Sequence, residues 1–285
     1  MDVKLRPGTP ADAEACGRIC YEAFATITAA HGVPCDFPSV EAATGLVSAL
    51  LARPGIFGVV AEADGAVAGS NFLDERAPIA GVGPITVDPS VQDGSIGRRL
   101  MAAVLDRAAE QGAAGVRLVQ GAYHTRSLAL YAKLGFEVRE TLACLQGPPL
   151  GLSLPGRSVR PATPADLEAC DRLCRAVHGH DRSPEVSDGI ARGSASVVEH
   201  DGRISGYTAG LSFFAHSVGE TVDDLKALIG AAAEFGGSGI LVPMREGPLF
   251  RFCLDNGLRV VQVLTLMTRG LYNEPQGAWL PSIMF

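Results

Sequence analysis

The chain reads as an α/β protein built from two copies of one unit, each a mixed, mostly antiparallel sheet flanked by helices. Three observations predict this. Residues 5–20, L-R-P-G-T-P-A-D-A-E-A-C-G-R-I-C, recur at 159–174 as V-R-P-A-T-P-A-D-L-E-A-C-D-R-L-C, with eleven of sixteen positions identical. Helical apolar periodicity alternates with short β-rich runs along the first copy. Asp64-Gly65 separates two such runs, the signal of a tight antiparallel hairpin, and Asp201-Gly202 repeats it. With 285 residues the chain can hold two domains of about 140 residues each.

The first copy is predicted to run strand 2–6, helix 10–24, helix 39–52 and strands 56–63, 66–74 and 80–87. Helix 96–111, strand 115–121, helix 125–134 and strand 136–145 follow. Thr9-Pro10 is a helix start, with Thr as the cap, Pro in the first turn and Asp12 and Glu14 close behind. Ile96, Leu100, Val104 and Ala108 recur every four residues and give the third long helix one buried face. Cys16 and Cys20, like Cys170 and Cys174, sit four apart and are expected to fill a helix face as small apolar residues. Pro and Gly interrupt regular structure in G-P-P-L-G-L-S-L-P-G-R-S. The expected division is therefore 1–147, a linker at 148–158, and 159–285.

Composition excludes several classes. Apolar residues make up 47% and charged residues 19%, which suits packed cores and not a disordered chain. The net charge of −7 is spread over both halves without a basic stripe, so nucleic acid is not an expected partner. No apolar run approaches the roughly 20 residues of a membrane span, and M-D-V-K-L-R-P holds no signal-peptide core. Seven cysteines without a C-x-x-C point to a reducing cytoplasm.

Residues Val87 to Leu100, V-D-P-S-V-Q-D-G-S-I-G-R-R-L, carry the strongest chemical signal. The strand G-P-I-T-V passes through a Pro-containing turn and a small-residue loop into an amphipathic helix. Converging backbone N–H groups and the helix N-terminus favour an anion there, and phosphates need no dedicated lysine. Downstream, residues 124–138 read H-T-R-S-L-A-L-Y-A-K-L-G-F-E-V. Together these segments resemble the GNAT acyltransferase superfamily, whose patterns are Q/R-x-x-G-x-G/A and N-x-x-A-x-x-L-Y-x-K-L-G-F-x-x. Gln92, Ser95 and Gly97 hold the first signature, with Ser95 in place of its first glycine. His124 stands in place of the asparagine of the second.

The resemblance implies two tandem GNAT-like domains, acetyl-CoA as co-substrate and no metal. It implies that pantetheine threads between splayed fourth and fifth strands, meeting backbone groups of Ile85, Thr86 and Val87. Gln92, Asp93, Gly94, Ser95, Ile96, Gly97 and Arg98 would wrap the pyrophosphate, His124 and Ser127 would face the coenzyme, and Tyr131 would protonate the departing thiolate. No carboxylate lies on the fourth strand. Asp74 and Glu75, just after the third strand, are the candidate bases, acting through water; the alternative is that both simply face solvent. Ala25 to Pro38 is one of the variable segments expected to shape the acceptor pocket.

The second copy departs from the pattern. Gly206 to Glu220 runs directly into the helix T-V-D-D-L-K, where Asp223 and Asp224 would repel a phosphate, and Cys253 matches Tyr131. This copy is expected to bind no coenzyme and to serve as scaffold, acceptor-pocket wall or homodimer contact. His178 and His180 lack further ligands for a metal and are expected in a loop lining the acceptor pocket. Trp279 is expected in a strand that completes a sheet or bridges the copies. The function expected is acetyl-CoA-dependent N-acetylation of a small-molecule or peptide amine in the first half. The alternative is a non-catalytic acyl-CoA-binding sensor.

Overall fold

The structure, a computed structural model, describes residues 2–92 and 95–284. Its first half contains β1 (Val3–Pro7), α1 (Ala13–His31), α2 (Val40–Ala52), β2 (Ile56–Ala63), β3 (Ala66–Asp74), β4 (Ile79–Val82) and β5 (Thr86–Val87). It continues with α3 (Ile96–Glu110), β6 (Gly115–Gly121), α4 (Thr125–Lys133) and β7 (Glu137–Gln146). The second half contains β8 (Ser158–Pro161), α5 (Leu167–His178), α6 (Ser183–Arg192), β9 (Ser196–His200), β10 (Arg203–Thr208) and β11 (Ser217–Gly219). It ends with α7 (Val222–Ala231), β12 (Ile240–Pro243), α8 (Gly247–Asp255), β13 (Arg259–Gly270) and β14 (Ala278–Leu280).

Both Asp-Gly pairs form the expected hairpins. Asp64 and Asp201 each take φ 50°, followed by Gly65 at 87° and Gly202 at 74°, the paired positive angles of a tight hairpin turn. Each copy also opens alike. Arg6 grips Asp12 at 2.7 Å and Glu62 at 2.7 Å, while Arg160 grips Asp166 and Glu199, both at 2.8 Å. Asp12 and Asp166 close capping boxes with Thr9 and Thr163.

Alternate residues of β2 and β3 serve two cores, one per face of the sheet. Val59, Ala61 and Leu73 pack with Ile96, Leu100, Val104 and Ala108 of α3 and with Tyr131 of α4. Val60 and Phe72 pack with Cys16, Cys20 and Val47 of α1 and α2. Cys16, Cys20, Cys170 and Cys174 are fully buried, as their spacing predicts.

Two expectations are corrected. Helix 10–24 is a 3-10 turn, Pro10–Asp12, followed by α1, which continues to His31. Thr28 returns its hydroxyl to Phe24 O, which tolerates the β-branched stretch, and left-handed Gly32 ends the helix. Strand 80–87 is two strands, because β4 pairs with β3 and β6 whereas β5 pairs with β3 alone.

The two halves share their main sheet. Its order is β1-β2-β3-β4-β6-β13-β7-β12, with β5 on β3, and β8 to β11 join β14 in a second sheet. The last long strand of the second half, β13, lies antiparallel between β6 and β7 of the first. The matching strand of the first half, β7, pairs in turn with β12. Trp279 on β14 is buried, and β14 is hydrogen-bonded to β11. No helix of the described residues is long and apolar enough to cross a membrane.

Candidate functional site

The site begins where two strands part. β4 and β6 pair in parallel only from Ile79–Gly81 to Gly115–Arg117. Beyond, the chain leaves β6 and stays on β3, where Thr86 opposes Ser70 and Val87 opposes Gly69. Asp88 N–H donates to Ala68 O. Alternation along an antiparallel ladder then turns the main-chain groups of Ile85 and Val87 away from β3. Gln92 Nε2 donates to Val87 O on that free edge, at 3.3 Å.

A cavity of about 550 Å³ occupies the gap at the mouth of α3. It is lined by Ile85, Thr86, Val87, Gln92, Ser95, Gly97 and Arg98 from the first motif. His124, Ser127 and Tyr131 line it from the second motif. Segments some thirty residues apart therefore meet at one place. Ile96 is the exception: its side chain is buried in the core, leaving only backbone to the turn. Asp93 and Gly94 lie outside the described residues.

Local geometry suits a phosphate-bearing ligand. Ser95 caps α3 at φ 61°, a left-handed conformation that glycine adopts freely. A Cβ on Gly97 would enter the space between Val87 Cγ2 and Leu130 Cδ2, 3.8 Å from each, and so fill part of the cradle. Thr86 Oγ1 is buried without a hydrogen-bond partner among the described residues. These features fit coenzyme A: open backbone, an anion-favouring helix end and cations at Arg98 and Arg126 on the rim.

A second cavity of about 150 Å³ shares Phe24, Ile27, Ile85, His124, Ser127 and Tyr131 as walls with the first. Tyr131 is buried, and burial pushes its hydroxyl well above the usual phenol value, so it holds its proton at neutral pH. Burial, with Arg126 and His31 nearby, lowers His124 below the usual imidazole value and favours its neutral form. Ser127 Oγ lies 2.9 Å from Gln120 Oε1 and 2.8 Å from His124 O, sharing its one proton between them, and Gln120 Nε2 donates to Thr265 Oγ1 at 2.6 Å. The α4 end is thereby tied to β13 of the other half.

The candidate bases lie elsewhere. Asp74 is ion-paired with Arg76 and lines a different cavity of about 840 Å³ between the halves. Glu75 takes a two-pronged hold from Arg107 at 2.7 and 2.9 Å. Neither lines the cavities that hold Tyr131. Among the described residues, the carboxylate that does so is Asp36, in the smaller cavity. It falls within Ala25–Pro38, the segment expected to shape the pocket, but its partners Ser238 and Gln262 come from the second half. His178 and His180 do not line either cavity, and His178 packs edge-on against Trp279 at 5.4 Å.

Residues 27–136 match the model of the acetyltransferase (GNAT) family. An IAA acetyltransferase of Azospirillum brasilense is 34% identical over 104 residues, spanning 36% of this chain and 68% of that one. The chain belongs to the GNAT acetyltransferase family. Among solved structures, an acetyltransferase from Pyrococcus horikoshii is similar over 96% of this chain and 91% of its own, with TM-score 0.73 and 16% identity. A tandem GNAT protein from the clavulanic acid biosynthesis pathway is similar over 94% of this chain and 98% of its own, with TM-score 0.56 and 16% identity. The two-copy architecture is thus shared along nearly the whole chain.

Proposed function

We propose that the first half transfers an acetyl group from acetyl-CoA directly to an amine of a small molecule or peptide. One observation carries the reading: both motifs line a single cavity, between the segment around β5, the start of α3, and α4. The coenzyme would supply an acyl carbon activated by its thioester. Backbone of Ile85 and Val87 would receive its amides, and Gln92, Ser95, Gly97 and Arg98, with Asp93 and Gly94 between, would receive its diphosphate. His124 and Ser127 would orient it from the α4 side. Tyr131, protonated at neutral pH, would give its proton to the leaving sulfur, and the proton lost by the attacking nitrogen would restore the phenol through water.

In the second half, β14 covers the edge of β11, Asp224 is tied to Arg157 at 3.0 Å within a capping box, and Cys253 is buried. That half would bind no coenzyme and would act as scaffold and pocket wall. The free thiols suit a reducing cytoplasm.

The ion pairs that occupy Asp74 and Glu75 favour a second reading, an acyl-CoA-binding sensor without turnover. Tyr131→Phe separates the two. As an enzyme, the variant releases thiol about 10²-fold more slowly or worse, with coenzyme affinity within about twofold of wild type. No amine-dependent thiol release from wild type across an amine panel, with coenzyme bound, would favour the sensor.

A further inference from the structure

Gln120 on β6 and Thr265 on β13 oppose each other directly on the antiparallel ladder that joins the two halves. Both are buried, and Gln120 Nε2 donates to Thr265 Oγ1 at 2.6 Å. Gln120 turns its Oε1 to Ser127 Oγ, 2.9 Å away, and Ser127 Oγ lies 2.8 Å from His124 O. Hydrogen bonds thus run without a break from the second half to the first turn of α4. That turn carries His124 and Ser127 into both cavities that hold Tyr131. His124, the N-cap of α4, makes no side-chain capping bond among the described residues, so the hydroxyl of Ser127 is what ties the turn to the sheet.

The other half closes the same junction differently. Where Cys253 matches Tyr131, Val242 matches Gln120, Leu249 matches Ser127 and Ala143 matches Thr265. The ladders place them alike: Val242 opposes Ala143 between β12 and β7, as Gln120 opposes Thr265 between β6 and β13. Val242, Leu249 and Ala143 are fully buried in one apolar core. The fold therefore does not need polar side chains at these three positions. Replacing a buried polar pair by apolar groups of similar shape is often neutral or stabilising, so the polar set answers a demand other than folding. It stands in the half whose α4 borders the cavity lined by both motifs.

We propose that Thr265, from the second half, is a positioning residue for the site of the first: through Gln120 it fixes Ser127 and the first turn of α4 where the ligand meets them. That the ligand is coenzyme A rests on the function proposed above; the fixing of the turn does not. Thr265 Oγ1 supplies the acceptor that the buried Gln120 Nε2 requires. Without it the amide leaves its place in search of another partner, Oε1 is no longer held towards Ser127, and the turn loses its anchor. The half that would bind no coenzyme itself thereby shapes the site of its twin.

Thr265→Val keeps the side chain's shape and removes the acceptor, and Thr265→Ser restores it. Two measurements on the full chain test the proposal: hydrogen exchange of the Leu128 amide, which donates to His124 O at 3.1 Å, in the absence of ligand, and calorimetric titration with coenzyme A. Thr265→Val is expected to speed that exchange and to weaken coenzyme A, each by about three- to tenfold, the worth of one hydrogen bond. Thr265→Ser should stay within about twofold of wild type in both. In a Ser127→Ala background, Thr265→Val should change the affinity by less than about 1.5-fold, because the connection is already cut. Gln120→Leu combined with Thr265→Val leaves neither side chain with an unanswered polar atom, so it folds even where the single variant does not, and it should weaken coenzyme A by the same about three- to tenfold. Unchanged exchange or unchanged affinity in Thr265→Val would overturn the proposal. So would a Thr265→Ser as impaired as Thr265→Val, or a full further loss in the Ser127→Ala background. If wild type takes up no coenzyme A, the acetyltransfer reading falls, and the exchange at Leu128 alone decides the role of Thr265.

Discussion

Ser95 pays a conformational penalty. Its φ of 61° belongs to the left-handed region, where a Cβ crowds the backbone and costs on the order of 1 kcal/mol. Ser95→Gly should raise unfolding stability by about 0.5–1 kcal/mol in a denaturant titration; an unchanged or lower midpoint would contradict the observed backbone. The substitution of serine for the motif's glycine was legible at once, and the strain became visible only with the dihedral angle. Tyr131 and Ser127 were legible too, through the resemblance of 124–138 to the superfamily's second motif, and α4 brings both to one wall. Asp36 and Gln262, 226 positions apart, share no local pattern, and only the tertiary fold joins them. Asp74 and Glu75 were misplaced for the converse reason. Nearness to a strand end does not reveal the arginines that claim a carboxylate, here Arg76 and Arg107.

At the scale of elements, the start of each copy is a capped helix locked by an arginine. The Arg6 guanidinium holds Asp12 well below the usual carboxylate range, assisted by Thr9, and Arg160 does the same for Asp166. A carboxyl depressed in the folded state stabilises fully above the unfolded aspartate value, about pH 4, and loses that contribution as pH falls towards its folded value. Asp12→Asn should therefore cost about 1–2 kcal/mol at pH 7, and the deficit should shrink below about pH 4. Urea melts at both pH values check this, and a deficit independent of pH would contradict it. Strand bounds 56–63, 66–74 and 115–121 were read correctly, since Asp64-Gly65 and the flanking glycines punctuate them. The break between β4 and β5 was missed although Gly83-Pro84 marks it, since neither glycine nor proline suits a strand interior. The break reflects pairing partners, with β6 released after Gly81 and β3 retained.

For the whole molecule, the duplication was plain in 5–20 and 159–174, but the position of β13 between β6 and β7 was not. Antiparallel pairing depends on complementary apolar faces rather than on chain order, and β13 carries a continuous buried run much as β7 does. The exchange makes each half part of the other's sheet and brings Gln262 and Thr265 beside the first-half site. The single site proposed for the two copies has a local basis as well: α3 opens onto a cavity, whereas α7 begins with Asp223 and Asp224 and β11 is covered by β14.

The central claim is that open main chain at the start of α3, in the first half alone, holds a diphosphate-bearing coenzyme. Calorimetric titration of coenzyme A into wild type and Gly97→Val measures it. The account predicts one equivalent per chain for wild type and at least tenfold weaker binding for the variant, whose thermal melt stays close to wild type. Two equivalents per chain, or unchanged affinity once that cradle is filled, would contradict it.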